Sequence, residues 1–150
     1  MHGFVLQDWT TIRGGSGIST VTQSEHQWLS LDGYQDLIAW IDIRELTLGT
    51  LTNIAFNLQT APIKDEILFT TMESSPLLAT QALTTPSVRT VVLSVSSAWK
   101  VPLGTFVRWQ LVTNANPIAT WDASFRILLC ANPLSGGGGM MGGGRLFPRG

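Results

Sequence analysis

Over several runs between Gln27 and Cys130 the apolar residues fall at every second position, and that period constrains the fold class more than anything else in the chain. Successive side chains of a strand point to opposite faces, so each such run has one apolar face to bury. In the run from Leu37 to Ile43, Leu37, Ala39, Ile41 and Ile43 share one face. Ile38, Trp40, Asp42 and Arg44 share the other, which begins apolar and turns polar. From Asn53 to Gln59, Ile54, Phe56 and Leu58 alternate with Asn53, Asn57 and Gln59. From Trp121 to Cys130, Trp121, Ala123, Phe125, Ile127 and Leu129 alternate with Asp122, Ser124 and Arg126.

Shorter β-prone segments are Ile18 to Thr22, Gln27 to Leu31, Ile67 to Met72, Leu77 to Leu83, Val88 to Val95 and Thr105 to Thr113. Asp32-Gly33 marks a turn, and Pro76 and Pro86 read as strand breakers. No window carries a capped helical period beyond a turn or two near Glu45 to Leu48. The pattern predicts an all-β chain, an antiparallel β-sandwich of about eight strands. Intervals longer than tight hairpins favour a jelly-roll or Greek-key topology over a meander.

Two glycine-rich stretches bracket this body. Residues 4–12 read as a short strand or extended arm, broken by the flexible joint Arg13-Gly-Gly-Ser-Gly17. At the other end Ser135 to Arg149 sets Met140, Met141, Leu146 and Phe147 among glycines. The chain thus divides into an N-terminal arm (1–17), a sandwich domain (18–132) and a C-terminal arm (133–150). Phe4, Leu6, Trp9, Met140, Met141, Leu146 and Phe147 are the arm residues expected to contact a partner. Burying the four C-terminal ones would gain roughly 6–12 kcal/mol. Ordering some fifteen residues costs about 1–2 kcal/mol each. The tail is therefore not expected to fold back on its own body as a stable element.

Charge decides which partners to expect. Charged residues make up 13% of the 150 residues, about half the usual share for a globular domain, so much of the surface is expected to face other protein. Lys64 and Lys100 are the only lysines among nine Lys and Arg, and arginine is the cation that interfaces favour. The net charge is −1, with no basic cluster to grip nucleic acid or an anionic membrane. Cys130 is the sole cysteine, which excludes an internal disulfide; its apolar surroundings in sequence predict a buried, inert thiol. The N-terminus lacks a charged region followed by an apolar stretch, and a soluble protein used without export is expected.

No reactive constellation emerges. His2 and His26 are the only histidines and lie at no zinc-ligand spacing; Asp65-Glu66 and Asp42 with Glu45 follow no calcium-loop pattern. A Ser-His-Asp set would have to use one of those histidines without a nucleophile elbow, and the tail glycines lack the Lys-Ser/Thr of a phosphate loop. No catalytic residue, metal site or cofactor is assigned, and a non-enzymatic role is expected. Trp9, Trp28, Trp40, Trp99, Trp109 and Trp121 leave a carbohydrate-binding module as the alternative, with exposed indoles as its platform. Trp109 and Trp121 lie within apolar alternation and are expected in the core, Trp9 is the best exposed anchor, and Trp99 is undecided.

The block from Trp28 to Asn132 resembles a group of small β-sandwich proteins from tailed-bacteriophage and prophage structural regions. The residues that carry the likeness are Leu31-Asp-Gly-Tyr-Gln-Asp-Leu37, Ile41-Asp-Ile-Arg-Glu45, Leu58-Gln-Thr-Ala-Pro62, Val107-Arg-Trp109 and Trp121-Asp-Ala-Ser-Phe-Arg126. These are packing and turn residues rather than a reactive signature, and the arms lie outside the match. The resemblance implies a virion component with a jelly-roll body, a head-decoration or cement protein. Such a protein would be made in the host cytoplasm and sit on the outer capsid surface as a homotrimer bound to the major capsid protein. It implies no cofactor.

Overall fold

Strand pairing in the computed structural model is nested from the ends inward. The structure describes residues 1–15, 17–49, 51, 53–78, 89–95, 101–113 and 120–134, with backbone alone at 76–78 and 89–95. The strands are β1 (His2–Gly14), β2 (Thr20–Thr22), β3 (Leu29–Ser30), β4 (Tyr34–Thr47), β5 (Asn53–Ala61), β6 (Thr70–Leu78), β7 (Arg89–Val95), β8 (Phe106–Thr113) and β9 (Trp121–Pro133). β1 pairs with β9, β2 and β3 both with β8, β4 with β7, and β5 with β6, all antiparallel. This is one long hairpin with its tip between β5 and β6. Rolling it up brings β9 against β4 and β8 against β5, giving sheets ordered β1-β9-β4-β7 and β2-β8-β5-β6. A rolled double-sheet hairpin is a jelly roll. Since β2 and β3 share one partner, they act as a single interrupted strand, leaving the eight positions such a fold requires.

The alternation seen in the sequence selects the inner faces. Leu37, Ala39, Ile41 and Ile43 of β4, Ile54, Phe56 and Leu58 of β5, and the Trp121-to-Leu129 set of β9 are all buried. Phe125 stands at the centre, edge-on to Phe56 at 4.9 Å and to Trp109 at 5.1 Å between ring centroids, the arrangement aromatic quadrupoles favour. Trp109 and Trp121 are core residues, as expected.

Residues 4–12, read as a short strand or an extended arm, belong to a strand that is part of the sandwich. His2–Gly14 is an edge strand of the β1-β9-β4-β7 sheet, in register with β9 from His2 opposite Ala131 to Gly14 opposite Trp121. Leu6 is only 4% exposed and belongs to the core. Two register shifts, between Val5 and Gln7 and between Gln7 and Thr10, each insert an extra residue into β1. They break the simple alternation that would have marked a strand, and such bulges also blunt an edge against pairing with other chains.

Other differences have local causes. Glu45 to Leu48, expected as a helical turn, continues β4 as far as Thr47 through a bulge at Arg44 that returns Leu46 to the core. Pro76 does not end a strand: it lies within β6, at a sheet edge where its missing N–H is tolerated. β6 starts only at Thr70 because the Asp65 carboxylate accepts from the Ile67 N–H at 3.1 Å and caps a 3-10 turn over Glu66–Leu68. Most of the segment Leu77 to Leu83 lies outside the described residues, as do Pro86 and Trp99.

Candidate interaction surface

The outer face of the β1-β9-β4-β7 sheet has no layer packed over it among the described residues. Register assigns its rows. Val5 lies opposite Leu128, which lies opposite Trp40; Gly3 lies opposite Cys130, which lies opposite Ile38. These residues form an apolar floor across three strands. Val5 is 60% exposed, while Ile38, Trp40, Leu128 and Cys130 are half-buried. A shallow open groove of about 430 Å³ runs between β1 and β4, lined by Gly3, Phe4, Val5, Trp40, Leu128, Leu129 and Cys130. An uncharged groove on an otherwise finished sandwich marks an interaction site more than a defect of packing.

Cys130 belongs to this floor rather than to the core. One residue past buried Leu129, strand alternation turns its thiol outward, where it is free and half-buried. The apolar run around it concealed this, because that run is apolar on both faces.

Along the strands the face becomes polar. Asp42, buried on the outer side of β4, accepts from Arg126 Nε at 2.8 Å. The Arg126 guanidinium stands 5.1 Å from the Trp9 ring centre and that of Arg44 4.1 Å from it. Trp9, expected as an exposed anchor, is half-buried under these cations, at the separation where the aromatic face attracts a guanidinium. Beyond them the Thr11 and Ser124 hydroxyls meet at 2.7 Å, and exposed Arg13 and Asp122 pair at 3.6 Å. The remaining N-terminal site residue, Phe4, packs edge-on to Tyr34 at 5.4 Å, and the Tyr34 hydroxyl lies 2.9 Å from His2 Nδ1. Met140, Met141, Leu146 and Phe147 lie outside the described residues.

A sugar platform needs an open indole face. Trp28 is buried and donates its N–H to the Gln23 carbonyl at 3.0 Å; Trp109 and Trp121 are in the core. Trp40, in the groove, is the described indole with open space beside it.

A second apolar surface lies on the β5–β6 connection, where Ile63, Ile67 and Leu68 are exposed, Ile67 to 88%. Beneath it Arg108, 4% exposed, donates to Gln59 Oε1 at 2.8 Å, meets Glu66 Oε2 at 2.8 Å and stacks 4.0 Å from the Phe69 ring centre. Sequence reasoning named Gln59, Glu66, Ile67 and Arg108 for other reasons and did not bring them together. Ile63 falls between charged residues and Ile67 opens a segment expected as a strand; the Asp65 cap, the Asp65 N–H to the Ile63 carbonyl and the Arg108–Glu66 pair together set the shape of the connection.

No family model matches this chain, and no curated protein sequence does either. Among solved structures it is similar to VP2 of infectious bursal disease virus in its subviral particle, with a TM-score of 0.51 and 16% identity. That alignment covers 85% of this chain and 32% of the viral one. The structure of the virus's Gx strain aligns with a TM-score of 0.50 and 12% identity over 93% of this chain and 32% of the other. The chain thus spans about a third of the length of these viral proteins. At such identities the likeness is one of fold: the jelly roll is shared.

Proposed function

We propose that this chain is a structural protein of a virion, a capsid-decoration protein of the tailed-phage type. It binds the major capsid protein through the outer face of its β1-β9-β4-β7 sheet. The observation that carries this reading is the uncharged groove between Val5, Leu128 and Trp40 on a sheet face that has no covering layer among the described residues. The rows beside it supply what a protein interface uses around an apolar centre: an arginine–tryptophan cluster at Trp9, Arg44 and Arg126, and a polar margin at Thr11 and Ser124.

Three further facts support it. The chain is poor in charge and in lysine, as suits a surface that is covered in an assembly. Its jelly roll is shared with a viral capsid protein, although at this distance that speaks for the fold and not the role. Met140, Met141, Leu146 and Phe147 give the C-terminal segment apolar contacts for a neighbouring subunit. The N-terminal segment enters the proposal as strand β1 of that face, through Gly3, Val5 and Trp9, and not as a separate arm, since Leu6 is a core residue. A homotrimer on the particle surface is the assembly implied by the phage resemblance.

The test is quantitative mass spectrometry of particles from the native source, fractionated on a density gradient. Co-migration with the major capsid protein at a fixed, high copy ratio is the expected result. A low fixed ratio would move the protein to a tail or vertex, and absence from particles would sink the virion reading.

A further inference from the structure

We infer that the apolar groove on the outer face of the β1-β9-β4-β7 sheet is the docking site of the chain's own Met140-Met141 pair. The contact is intramolecular and stands independently of the virion reading.

Position comes first. The chain leaves the sheet at Pro133, and the Leu134 N–H donates to the Gly33 carbonyl at 2.7 Å, which fixes the exit beside the β3–β4 turn. Two groove residues, Cys130 and Leu128, are the third and fifth before Pro133 on the same strand. At a strand rise of about 3.3 Å they lie roughly 10–17 Å back along β9. Met140 is the seventh residue after Pro133, and seven residues reach at most about 24 Å. The pair therefore reaches the groove after one reversal, and Gly136 to Gly139 is a sequence that permits the reversal at no steric cost.

Chemistry then selects the methionines over the other apolar pair. The residues lining the groove carry no charge. Leu146-Phe147 is flanked by Arg145 and Arg149, whose cations would find no carboxylate there. Met140-Met141 is flanked by Gly139 and Gly142, which let the backbone approach the sheet closely. Flexible thioethers suit a shallow, irregular groove and make favourable contacts with an aromatic edge, here Trp40.

Only the methionines and their immediate neighbours have to be ordered, not the whole tail, and a short tether holds them at a high local concentration. Gain and loss are then similar in size, so the pair is docked for part of the time. A partner that binds the same face has to displace it.

Cys130 lines the groove and is the sole cysteine, which makes it a reporter of occupancy. The rate of its alkylation by iodoacetamide is measured on the folded full-length chain over a hundredfold range of protein concentration. A pair docked about two-thirds of the time shields the thiol about threefold. The double variant Met140→Ser/Met141→Ser is therefore expected to label about three times faster at every concentration. Leu146→Ser/Phe147→Ser is expected to label at the parent rate. An unchanged rate in the methionine variant overturns the inference. Shielding that grows with protein concentration places the segment on a second copy and overturns the intramolecular contact. Faster labelling in the Leu-Phe variant alone assigns the groove to the wrong pair.

Discussion

The indole N–H of Trp109, in the second strand position of one sheet, donates a 3.0 Å hydrogen bond to the side-chain oxygen of Gln7 at the edge of the other. A second glutamine reinforces the tie. Gln23 donates to the Leu6 carbonyl at 2.7 Å, accepts from the Trp109 backbone N–H at 3.3 Å, and gives its own N–H to the Trp109 carbonyl at 3.1 Å. The bulges that take residues of β1 out of simple register with β9 leave backbone groups to be satisfied elsewhere. The two glutamines do this while stitching the first strand to β8.

Replacing Gln23 with leucine is therefore expected to cost about 2–4 kcal/mol, because it leaves a buried carbonyl and a buried N–H unpaired together. Gln23 is 3% exposed, so water cannot substitute. Gln7→Leu removes two bonds at a half-buried site, the one from the Trp109 indole and an exposed one to the Asp8 carbonyl, and is expected to cost about 1–2 kcal/mol. Urea unfolding checks both: the midpoint falls by the ratio of these costs to an unchanged slope. A Gln23→Leu midpoint equal to the parent's would show that β1 is held by its pairing with β9 alone.

Gly14 and Gly33 are predicted to respond oppositely to what their surroundings in sequence suggest. Gly14 sits in the run Arg13-Gly-Gly-Ser-Gly17, which reads as a joint, yet a Cβ there would lie 1.9 Å from Trp121 Cε2. Trp121 is fully buried and cannot yield. Gly14→Ala is expected to cost more than about 3 kcal/mol by overpacking. Gly33, in the turn signal Asp32-Gly33, has φ +82° but open space around it, so Gly33→Ala should cost only about 1 kcal/mol in backbone strain. Thermal unfolding of the two variants gives the ranking.

The same glycine shows why the sequence yields some elements and conceals others. β4, β5 and β9 are legible because each presents an uninterrupted period of two to a buried face, and Leu37, Phe56 and Phe125 fall where that period puts them. Gly14 is chosen by the shape of a tryptophan more than a hundred residues away in the chain, and nothing local records it. β1 is legible only as a strand or an arm over residues 4–12 for a related reason, since the register shifts around Gln7 break its alternation. The outer groove was half legible. The Ile38-to-Arg44 face begins apolar and turns polar in the sequence, but only the β1-β9-β4 order turns it outward and adds Val5, Leu128 and Cys130 to it.

At the Arg108–Glu66 pair the exposed partner is expected to matter more than the buried one. Arg108 is 4% exposed, whereas the Glu66 side chain is 66% exposed. Glu66→Ala leaves a guanidinium inside the protein without its carboxylate, and about 2–4 kcal/mol is the expected loss. Arg108→Met keeps the packing against Phe69 and returns Glu66 to water, so a smaller loss of about 1–2 kcal/mol follows, mostly from Gln59. The double variant should then be more stable than Glu66→Ala alone. Guanidinium is unsuitable here because it screens the pair; urea titration of the three variants is the measurement.

Two apolar surfaces stand out among the described residues, and one substitution on each separates them. Val5→Glu places a carboxylate at the rim of the sheet groove, on a residue already 60% exposed, so folding stability should change by no more than about 0.5 kcal/mol. Desolvating that charge against Leu128 and Trp40 would oppose docking by about 2 kcal/mol or more, roughly a thirtyfold loss of affinity for particles. Ile67→Glu, on the β5–β6 connection, should fold equally well and bind as the parent does. Sedimentation of each variant with particles stripped of the protein reads the difference. Binding lost in Ile67→Glu and kept in Val5→Glu would move the interface to the hairpin tip, where Ile63 and Leu68 would join it.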